Sequence, residues 1–266
     1  MKTIHFISGL PRSGSTLLAN ILAQNPRFQA TATSGILEIL LAVRNTWDKV
    51  YEFRAAVDRA EDEAARARVL RGILESYHAV RERPVVFDKS RGWLAHLEMA
   101  EAILDRPARV LVTVRDPRDV LASFERLWRS AASHHLSPAE AQSPHDFQTV
   151  EGRCEYWARH DQAVGLSYNR IKDALHRGFA DRMQFVRFGD LTRAPGATLR
   201  SIYEFLGEPP FDGHDFQHVE QVTAEDDRVY GFPDLHTIRA RVEPVPPAWP
   251  HYLGDASLRY EEWELW

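Results

Sequence analysis

Residues 3–22 read TIHFISGLPRSGSTLLANIL, and this stretch decides the fold class. The β-rich run Thr3–Ser8 is interrupted by the loop sequence GLPRSG, after which apolar residues recur at helical spacing until Asn25-Pro26. The glycine spacing is that of a phosphate loop, whose backbone N–H groups present partial positive charge to an anion together with the start of the following helix. The stretch therefore predicts a strand, an anion-binding loop and a helix.

The same order of strand, polar residues and helix recurs twice. The short apolar run Pro84–Phe87 precedes Asp88-Lys89-Ser90, and the spacing that follows predicts a helix over Leu94–Leu104. Arg109–Val114 is the nearly continuous apolar run that a strand buried on both faces requires, and a helix is predicted after it over Val120–Trp128. Both strands are expected to deliver polar residues at their carboxyl ends.

The second half of the chain continues the pattern. Positions at alternating steps of four and three from Val150 to Leu175 are apolar except Asp161, which predicts one long helix with one stripe. Gln184–Phe188 is a further predicted strand, and Pro195 and Gly207 mark the two ends of the next helix.

Strands alternating with helices indicate an α/β fold with a mainly parallel central sheet flanked by helices. The sequence predicts a single P-loop-type domain over residues 1–266, on which the proline- and aromatic-rich tail at 240–266 packs. In such folds ligands bind at the carboxyl ends of the strands, where the polar residues are predicted to lie.

Composition and charge exclude several classes of protein. The 266-residue chain has a net charge of −5, which argues against broad electrostatic binding to nucleic acid. No run of about 18 apolar residues could span a membrane, and the apolar start at Phe6–Leu10 is too short for a signal peptide. The single Cys154 favours a reducing compartment. A cytoplasmic protein without nucleic-acid or membrane partners is expected, and the sequence is silent on oligomeric state.

The loop lacks the lysine that a triphosphate-binding loop requires. In that pattern a lysine directly follows the second glycine, but here Ser15 takes the position and the positive charge lies at Arg12. One arginine with hydroxyls suits a smaller anion held without metal better than a magnesium-bound triphosphate. A P-loop kinase or nucleotide hydrolase, and a non-catalytic module that binds phosphate or sulfate ligands, remain open as alternatives.

Phe6–Leu18 resembles the 5′-phosphosulfate loop of sulfotransferases that use 3′-phosphoadenosine-5′-phosphosulfate (PAPS), and is most similar to that of the tyrosylprotein-type and related bacterial branches. The resemblance implies an enzyme that transfers the sulfuryl group of PAPS to a hydroxyl or amine by in-line displacement. The product 3′,5′-adenosine bisphosphate (PAP) would remain, and no metal would be required. The resemblance also implies donor binding by the loop residues Pro11, Arg12, Ser13, Gly14, Ser15, Thr16 and Leu17.

A second signature of this family spans Val112–Ser123, where a strand is followed by an arginine and, eight residues later, by a serine. The resemblance assigns Arg115 and Ser123 to the 3′-phosphate of the donor. The spacing agrees, because Arg115 leaves the strand end and Ser123 lies two turns into the next helix. Arg187 and Arg239 lie in segments similar to nucleotide-contacting segments of the family and are also expected to contact the donor.

Phe87–Ser90 resembles the family segment whose lysine stabilises the transferring group. Lys89 inherits that role, and Arg12 is expected to assist it, because cations placed at developing charge act more strongly on the transition state than on the substrate. The catalytic base stays open, since neither the glutamate of the tyrosylprotein branch nor the histidine of the cytosolic branch is present at its usual place. Glu38 is the first candidate, Asp88 the second and His236 the third.

The acceptor is expected to be a small molecule or a peptide that carries a hydroxyl or an amine. Variable segments are predicted to bind it: Thr31–Tyr51, the loop Ser130–Asp146 and the tail. No metal site is predicted, because the pairs His134-His135 and His214 with His218 lack a supporting set of ligands.

Overall fold

The computed structural model describes residues 2–130, 143–230, 234–264 and 266. Within these residues five strands form one parallel sheet in the order β2-β3-β1-β4-β5. The strands are β1 (Thr3–Gly9), β2 (Phe28–Thr33), β3 (Val85–Lys89), β4 (Val110–Val114) and β5 (Met183–Arg187). The predicted α/β domain with a parallel sheet is confirmed.

Helices connect the strands and cover the sheet. They are α1 (Ser15–Leu22), α2 (Ile36–Trp47), α3 (Tyr51–Arg54), α4 (Arg59–Ala79), α5 (Leu97–Leu104), α6 (Pro117–Ser130), α7 (Val150–Ala158), α8 (Ala163–His176), α9 (Phe188–Arg193), α10 (Pro195–Leu206) and α11 (Trp249–Tyr252). Short 3₁₀ helices occupy Trp93–His96, Ala180–Arg182, Asp227–Tyr230 and Gly254–Tyr260. Among the helices of the described residues, none is both long enough and apolar enough to cross a bilayer.

The two faces of the sheet pack against different helices, because successive strand residues point to opposite sides. On one face, Phe6 and Val112 pack with α2, α4, α5, α6, α7 and α8. On the other face, Ile7 and Leu111 pack with α1, α9 and α10. The C-terminal tail adds to the first of these cores, where Tyr260 is buried. The strands are therefore covered on both sides, as their apolar sequences predict.

Two features of the fold differ from the sequence-based expectation. Strand β2 was not predicted, because half of its residues are threonine or glutamine and it lies at the edge of the sheet. The single long helix predicted between Val150 and Leu175 is wrong, since α7 ends at Ala158 and α8 begins at Ala163. Gly165 permits this break, because a Cβ on it would lie only 2.1 Å from the carbonyl oxygen of Ala158.

The junction of β1 and β4 positions the loop that follows β1. Gly9 has a φ of 122°, and a Cβ on it would lie 2.1 Å from the carbonyl oxygen of Thr113. The next residue, Leu10, donates its backbone N–H to that same oxygen at 2.9 Å. A glycine is required here because the two strands approach too closely for any side chain.

We expect Gly9→Ala to lower the free energy of unfolding by roughly 1–3 kcal/mol, because alanine is strained at this φ and its methyl group would collide with Thr113. Gly72→Ala is the matched control, since Gly72 lies inside α4 with open space around it, and alanine there should stabilise the chain by up to about 1 kcal/mol. Chemical denaturation of both variants measures the difference. Equal stabilities would contradict the close approach of β1 and β4.

Candidate active site

The loop between β1 and α1 presents backbone amides at the carboxyl end of the sheet. Gly14 precedes α1 with a φ of 89° and supplies no side-chain cap. A Cβ at Gly14 would lie 2.6 Å from the ring of Phe188, so that ring lies directly against the loop. The uncapped first turn of a helix is a site for anions, because its N–H groups have no partner within the helix.

Ser13 holds this loop in place. Its hydroxyl oxygen lies 2.6 Å from the carbonyl oxygen of Leu10 and 2.7 Å from the hydroxyl of Thr113 on β4. The Ser13 side chain is buried and directed into the sheet. Ser13 can therefore contribute its backbone N–H to a ligand, while its hydroxyl fixes the loop. Pro11 is also buried, and Ser15 and Leu17 are half-buried at the start of α1.

Arg12 is the cation of the loop and has a φ of 57°. Its Nε donates a hydrogen bond to the hydroxyl of Ser123 at 3.1 Å, and its guanidinium also contacts the carbonyl oxygen of Leu235. Burial lowers the pKa of Arg12 to about 10, with further contributions from the positive charges of Arg126 and Arg115. The structure thus brings together two residues that the sequence separates by 111 positions.

Arg115 completes a group of cations around Ser123. Its guanidinium lies over the ring of Phe188, with the central carbon 4.7 Å from the ring centroid, and 3.5 Å from a carboxylate oxygen of Asp119. Within the described residues, its Nε is buried without a hydrogen-bond partner. Burial lowers the pKa of Arg115, and the charge of Arg126 lowers it further. An anion would provide the partner that this Nε lacks.

Arg126 was not selected from the sequence. It is exposed on α6 and follows Ser123 by three residues, so both side chains lie on the same side of that helix. This spacing is a signal that sequence analysis could have used. We call Arg12, Arg115, Ser123 and Arg126 the arginine–serine group.

Lys89 lies on the other side of β1, at the end of β3. Its amino group donates to the hydroxyl of Thr16 at 3.2 Å and lies 3.6 Å from a carboxylate oxygen of Glu225. The backbone N–H of Lys89 donates to the hydroxyl of Thr31 at 2.9 Å. The residue is only 5% exposed, and burial lowers its pKa, while Glu225 acts in the opposite direction. Lys89 thus faces the first turn of α1.

A cluster of two carboxylates and a histidine lies next to Lys89. The Nδ1 atom of His236 is 2.6 Å from Asp227 and 3.2 Å from Glu225, and Glu225 also accepts the backbone N–H of Thr33 at 2.7 Å. The pKa of Glu225 is lowered, because the hydrogen bond from Thr33 and the charge of Lys89 outweigh its burial. Glu225 and Asp227 were missed, since an acidic run in an irregular segment gives no indication of where that segment folds.

The first two base candidates are placed elsewhere. Asp88 is fully buried on the opposite face of the sheet from Lys89, where its oxygens lie 2.8 Å from the indole nitrogen of Trp93 and 3.2 Å from His78. Neighbouring residues of a strand alternate between faces, so Asp88 and Lys89 cannot act on the same ligand. Glu38 is exposed in the first turn of α2, and its charge acts on Arg170 and His96 rather than on Lys89.

The two remaining predicted donor contacts do not join this site in the structure. Arg187 contacts the backbone carbonyl of Trp266, and Arg239 is 66% exposed with its guanidinium 3.7 Å from Glu243. His134-His135 and most of the predicted loop Ser130–Asp146 lie outside the described residues, as does the stretch 231–233. Where the chain is described, no three His, Cys, Asp or Glu side chains form a group that could hold a metal ion.

Comparisons with solved structures find the same fold in several sulfotransferases. A sulfotransferase domain from the curacin biosynthetic pathway matches with a TM-score of 0.52 at 19% identity, covering 100% of this chain and 92% of that one. A sulfotransferase domain from the Synechococcus PCC 7002 olefin synthase matches with a TM-score of 0.52 at 21% identity, covering 100% of this chain and 90% of that one. Mouse sulfotransferase SULT7A1, complexed with PAP, matches with a TM-score of 0.50 at 14% identity, covering 97% of this chain and 82% of that one.

The comparison with curated protein sequences gives no significant match. The finer likeness to the tyrosylprotein-type branch stays a prediction. The model of the sulfotransferase family matches residues 5–213, a range that contains the loop, Lys89 and the arginine–serine group. The chain therefore belongs to the sulfotransferase family.

Proposed function

We propose that this chain transfers the sulfuryl group of PAPS to a hydroxyl or amine acceptor by in-line displacement. One observation carries the proposal: the uncapped start of α1 lies between two separate sets of cations, Lys89 at the end of β3 and the arginine–serine group beside β4. Two separate sets of cations suit a donor with two separate anions, a 3′-phosphate and a 5′-phosphosulfate. The shared fold of the mouse sulfotransferase solved with PAP supports the same donor here.

The arginine–serine group fits the 3′-phosphate. Arg115 offers a buried Nε without a partner in the described part of the chain, and Ser123 offers a hydroxyl. Arg126 adds a positive charge near enough to lower the pKa of both Arg12 and Arg115. A dianion would relieve this repulsion between neighbouring guanidinium groups and would satisfy the buried donor.

The loop amides, Thr16 and Lys89 fit the 5′-phosphosulfate. PAPS supplies a sulfur atom that bonds to the acceptor oxygen while its bond to the nucleotide phosphate breaks, so that negative charge builds on the departing oxygen. Lys89 is placed to act on that charge, because its amino group lies against Thr16 in the first turn of α1. Burial strengthens its effect, since water does not screen a charge held 95% out of solvent.

We infer that His236 is the base that takes the acceptor proton. Both carboxylates face its Nδ1 atom, and a carboxylate can only accept a hydrogen bond, so the neutral ring carries its proton on Nδ1. The Nε2 atom is then the basic one. Asp227 orients the ring, and Glu225 links it to Lys89. This placement moves the third candidate ahead of Glu38 and Asp88.

A kinase or hydrolase is disfavoured, because the loop has Ser15 in place of the lysine that triphosphates need and its cations are arranged in two sets.

A cytoplasmic location is supported by Cys154, which is buried and unpaired. Its pKa is raised to about 12, mainly by burial, so the thiol is unreactive at neutral pH.

Calorimetric titration tests the donor. PAP is expected to bind at micromolar concentration or below, 5′-AMP far more weakly, and ATP with magnesium not to compete. Arg115→Ala should weaken PAP binding by about tenfold or more, because a charged hydrogen bond to the 3′-phosphate is lost. Arg193→Ala is the control, since this arginine is exposed and pairs with Asp190. Binding of ATP with magnesium and not of PAP would make the kinase reading correct.

Chemical rescue tests the base. His236→Ala should lower the turnover of an acceptor found by screening by about 10²–10⁴-fold, the usual effect of losing a general base. Added imidazole should restore part of that activity, which it could not do for a purely structural loss. Asp226→Asn is the control, because Asp226 is exposed and pairs with Arg228. Near-normal turnover in His236→Ala would remove this histidine from the catalytic role.

A further inference from the structure

A second group of cations lies beyond Lys89. It consists of Arg44 on α2, Arg91 just after β3, and Arg170 on α8, and we call it the outer arginine group. Arg91 follows Lys89 by two residues, and it therefore lies on the β3 side of β1, whereas the arginine–serine group lies on the β4 side. The donor's two anions are already matched by the loop and the arginine–serine group, so the outer arginine group is left without a role.

Packing brings the three elements that carry these arginines together. The segment after β3 lies against α2. A Cβ built on Gly92 would lie only 2.5 Å from a methyl carbon of Leu37, so the two elements are in close contact. Helix α8 lies against the 3₁₀ helix Trp93–His96, where Arg177 donates to the carbonyl oxygen of Leu94 at 2.6 Å. Arg170 precedes Arg177 by two helical turns and so projects from the same side of α8. The three elements converge beside the end of β3.

The outer arginine group lacks neutralising partners. Within the described residues, none of its three side chains makes a hydrogen bond or an ion pair, whereas Arg177 nearby pairs with Glu98 at 2.6 Å. The charges of Arg44 and Arg170 lower the pKa of His96, after the larger effect of burial. Partial removal of Arg91 from water lowers its pKa as well, although the residue stays exposed overall, and the charge of Arg170 lowers it further. The negative charge of Glu38 acts in the opposite direction and raises the pKa of Arg170, although burial lowers that pKa overall.

The outer arginine group adjoins the proposed reaction centre. Arg91 follows Lys89 by two residues and lowers its pKa, and Tyr230 in turn acts electrostatically on Arg91. The hydroxyl of Tyr230 lies 3.5 Å from Glu225, which in turn lies 3.6 Å from the amino group of Lys89. Arg91 keeps more than a third of its surface open to solvent, so an incoming molecule can reach it. On this arrangement, a molecule held at Arg91 would extend past Tyr230 toward Lys89 and His236.

We propose that the outer arginine group binds an acceptor that carries an oxyanion, namely a hydroxyl compound with a carboxylate or phosphate group. This inference rests on the proposed sulfuryl transfer. The acceptor's oxyanion would pair with Arg91 and Arg170, because guanidinium groups recognise carboxylate and phosphate in two-pronged fashion. Its hydroxyl oxygen bonds to sulfur as the bond from sulfur to the nucleotide phosphate breaks, its proton passes to His236, and PAP leaves.

Calorimetry on the protein saturated with PAP tests this site. The probes are 4-hydroxybenzoate, 4-hydroxyphenyl phosphate and the neutral 4-hydroxybenzamide. We expect both anionic probes to bind at least tenfold more tightly than the amide. Arg91→Gln combined with Arg170→Gln should abolish that preference while leaving PAP affinity unchanged, which shows that the variant is folded. Arg193→Gln is the control. Arg193 is exposed and pairs with Asp190, so this variant should behave as the parent.

The outcomes separate the two proposals. If PAP binds and the amide binds as well as the anionic probes, or no anionic probe binds, the oxyanion site is refuted and the donor site stands. If the anionic preference survives in the double variant, the outer arginine group is not the site. If PAP itself does not bind, the proposed function fails, and the inference fails with it.

Discussion

Burial of positive charge at the carboxyl end of a parallel sheet is the constraint on which this structure depends. Lys89 and Arg12 are both removed from water, and burial is the largest cause of the lowered pKa of each. A buried ion without partners destabilises a fold by several kcal/mol, so both need compensation. Lys89 has Thr16 and Glu225, and Arg12 has Ser123 and the carbonyl oxygen of Leu235. The buried Nε of Arg115 lacks a hydrogen-bond partner among the described residues, and an anion would supply one.

That constraint explains why residues 222–230 and 234–238 lie over the loop. Asn20 is buried on α1, and its side-chain oxygen accepts the backbone N–H groups of Val222 at 2.6 Å and Thr223 at 3.1 Å. This anchor places Glu225 and His236 beside Lys89. Loop, lysine, carboxylates and histidine therefore depend on one another, although they come from opposite ends of the chain.

Local patterns predicted much of this arrangement. The strand, glycine loop and helix at residues 3–22 follow from spacing alone, as do the positions of Lys89 and Arg115 at strand ends. Arg115 and Ser123 lie on consecutive elements, and their joint role at the 3′-phosphate stays a prediction. These features are encoded by neighbouring residues, and parallel strands then bring their carboxyl ends to one edge of the sheet.

Features that depend on distant packing were not predictable in this way. Asp88 adjoins Lys89 in the sequence and was therefore a candidate base. Side chains alternate between the faces of a strand, so that of Asp88 lies on the other face of the sheet, where it contacts Trp93. Glu225 was missed because its position is set by the contact between Asn20 and Thr223, which no periodicity reveals. Strand β2 was missed for a similar reason, since pairing with β3 rather than its own apolar content makes it a strand.

The most direct test of the central claim is to measure transfer of radiolabelled sulfuryl from PAPS to pooled hydroxyl and amine acceptors, with the parent chain and with Lys89→Met. The account predicts labelled product from the parent and about 10²–10³-fold less from the variant, with PAP affinity changed only a few-fold, because Lys89 acts mainly on charge that develops in the transition state. Equal rates from the two chains, or no labelled product from the parent, would contradict it.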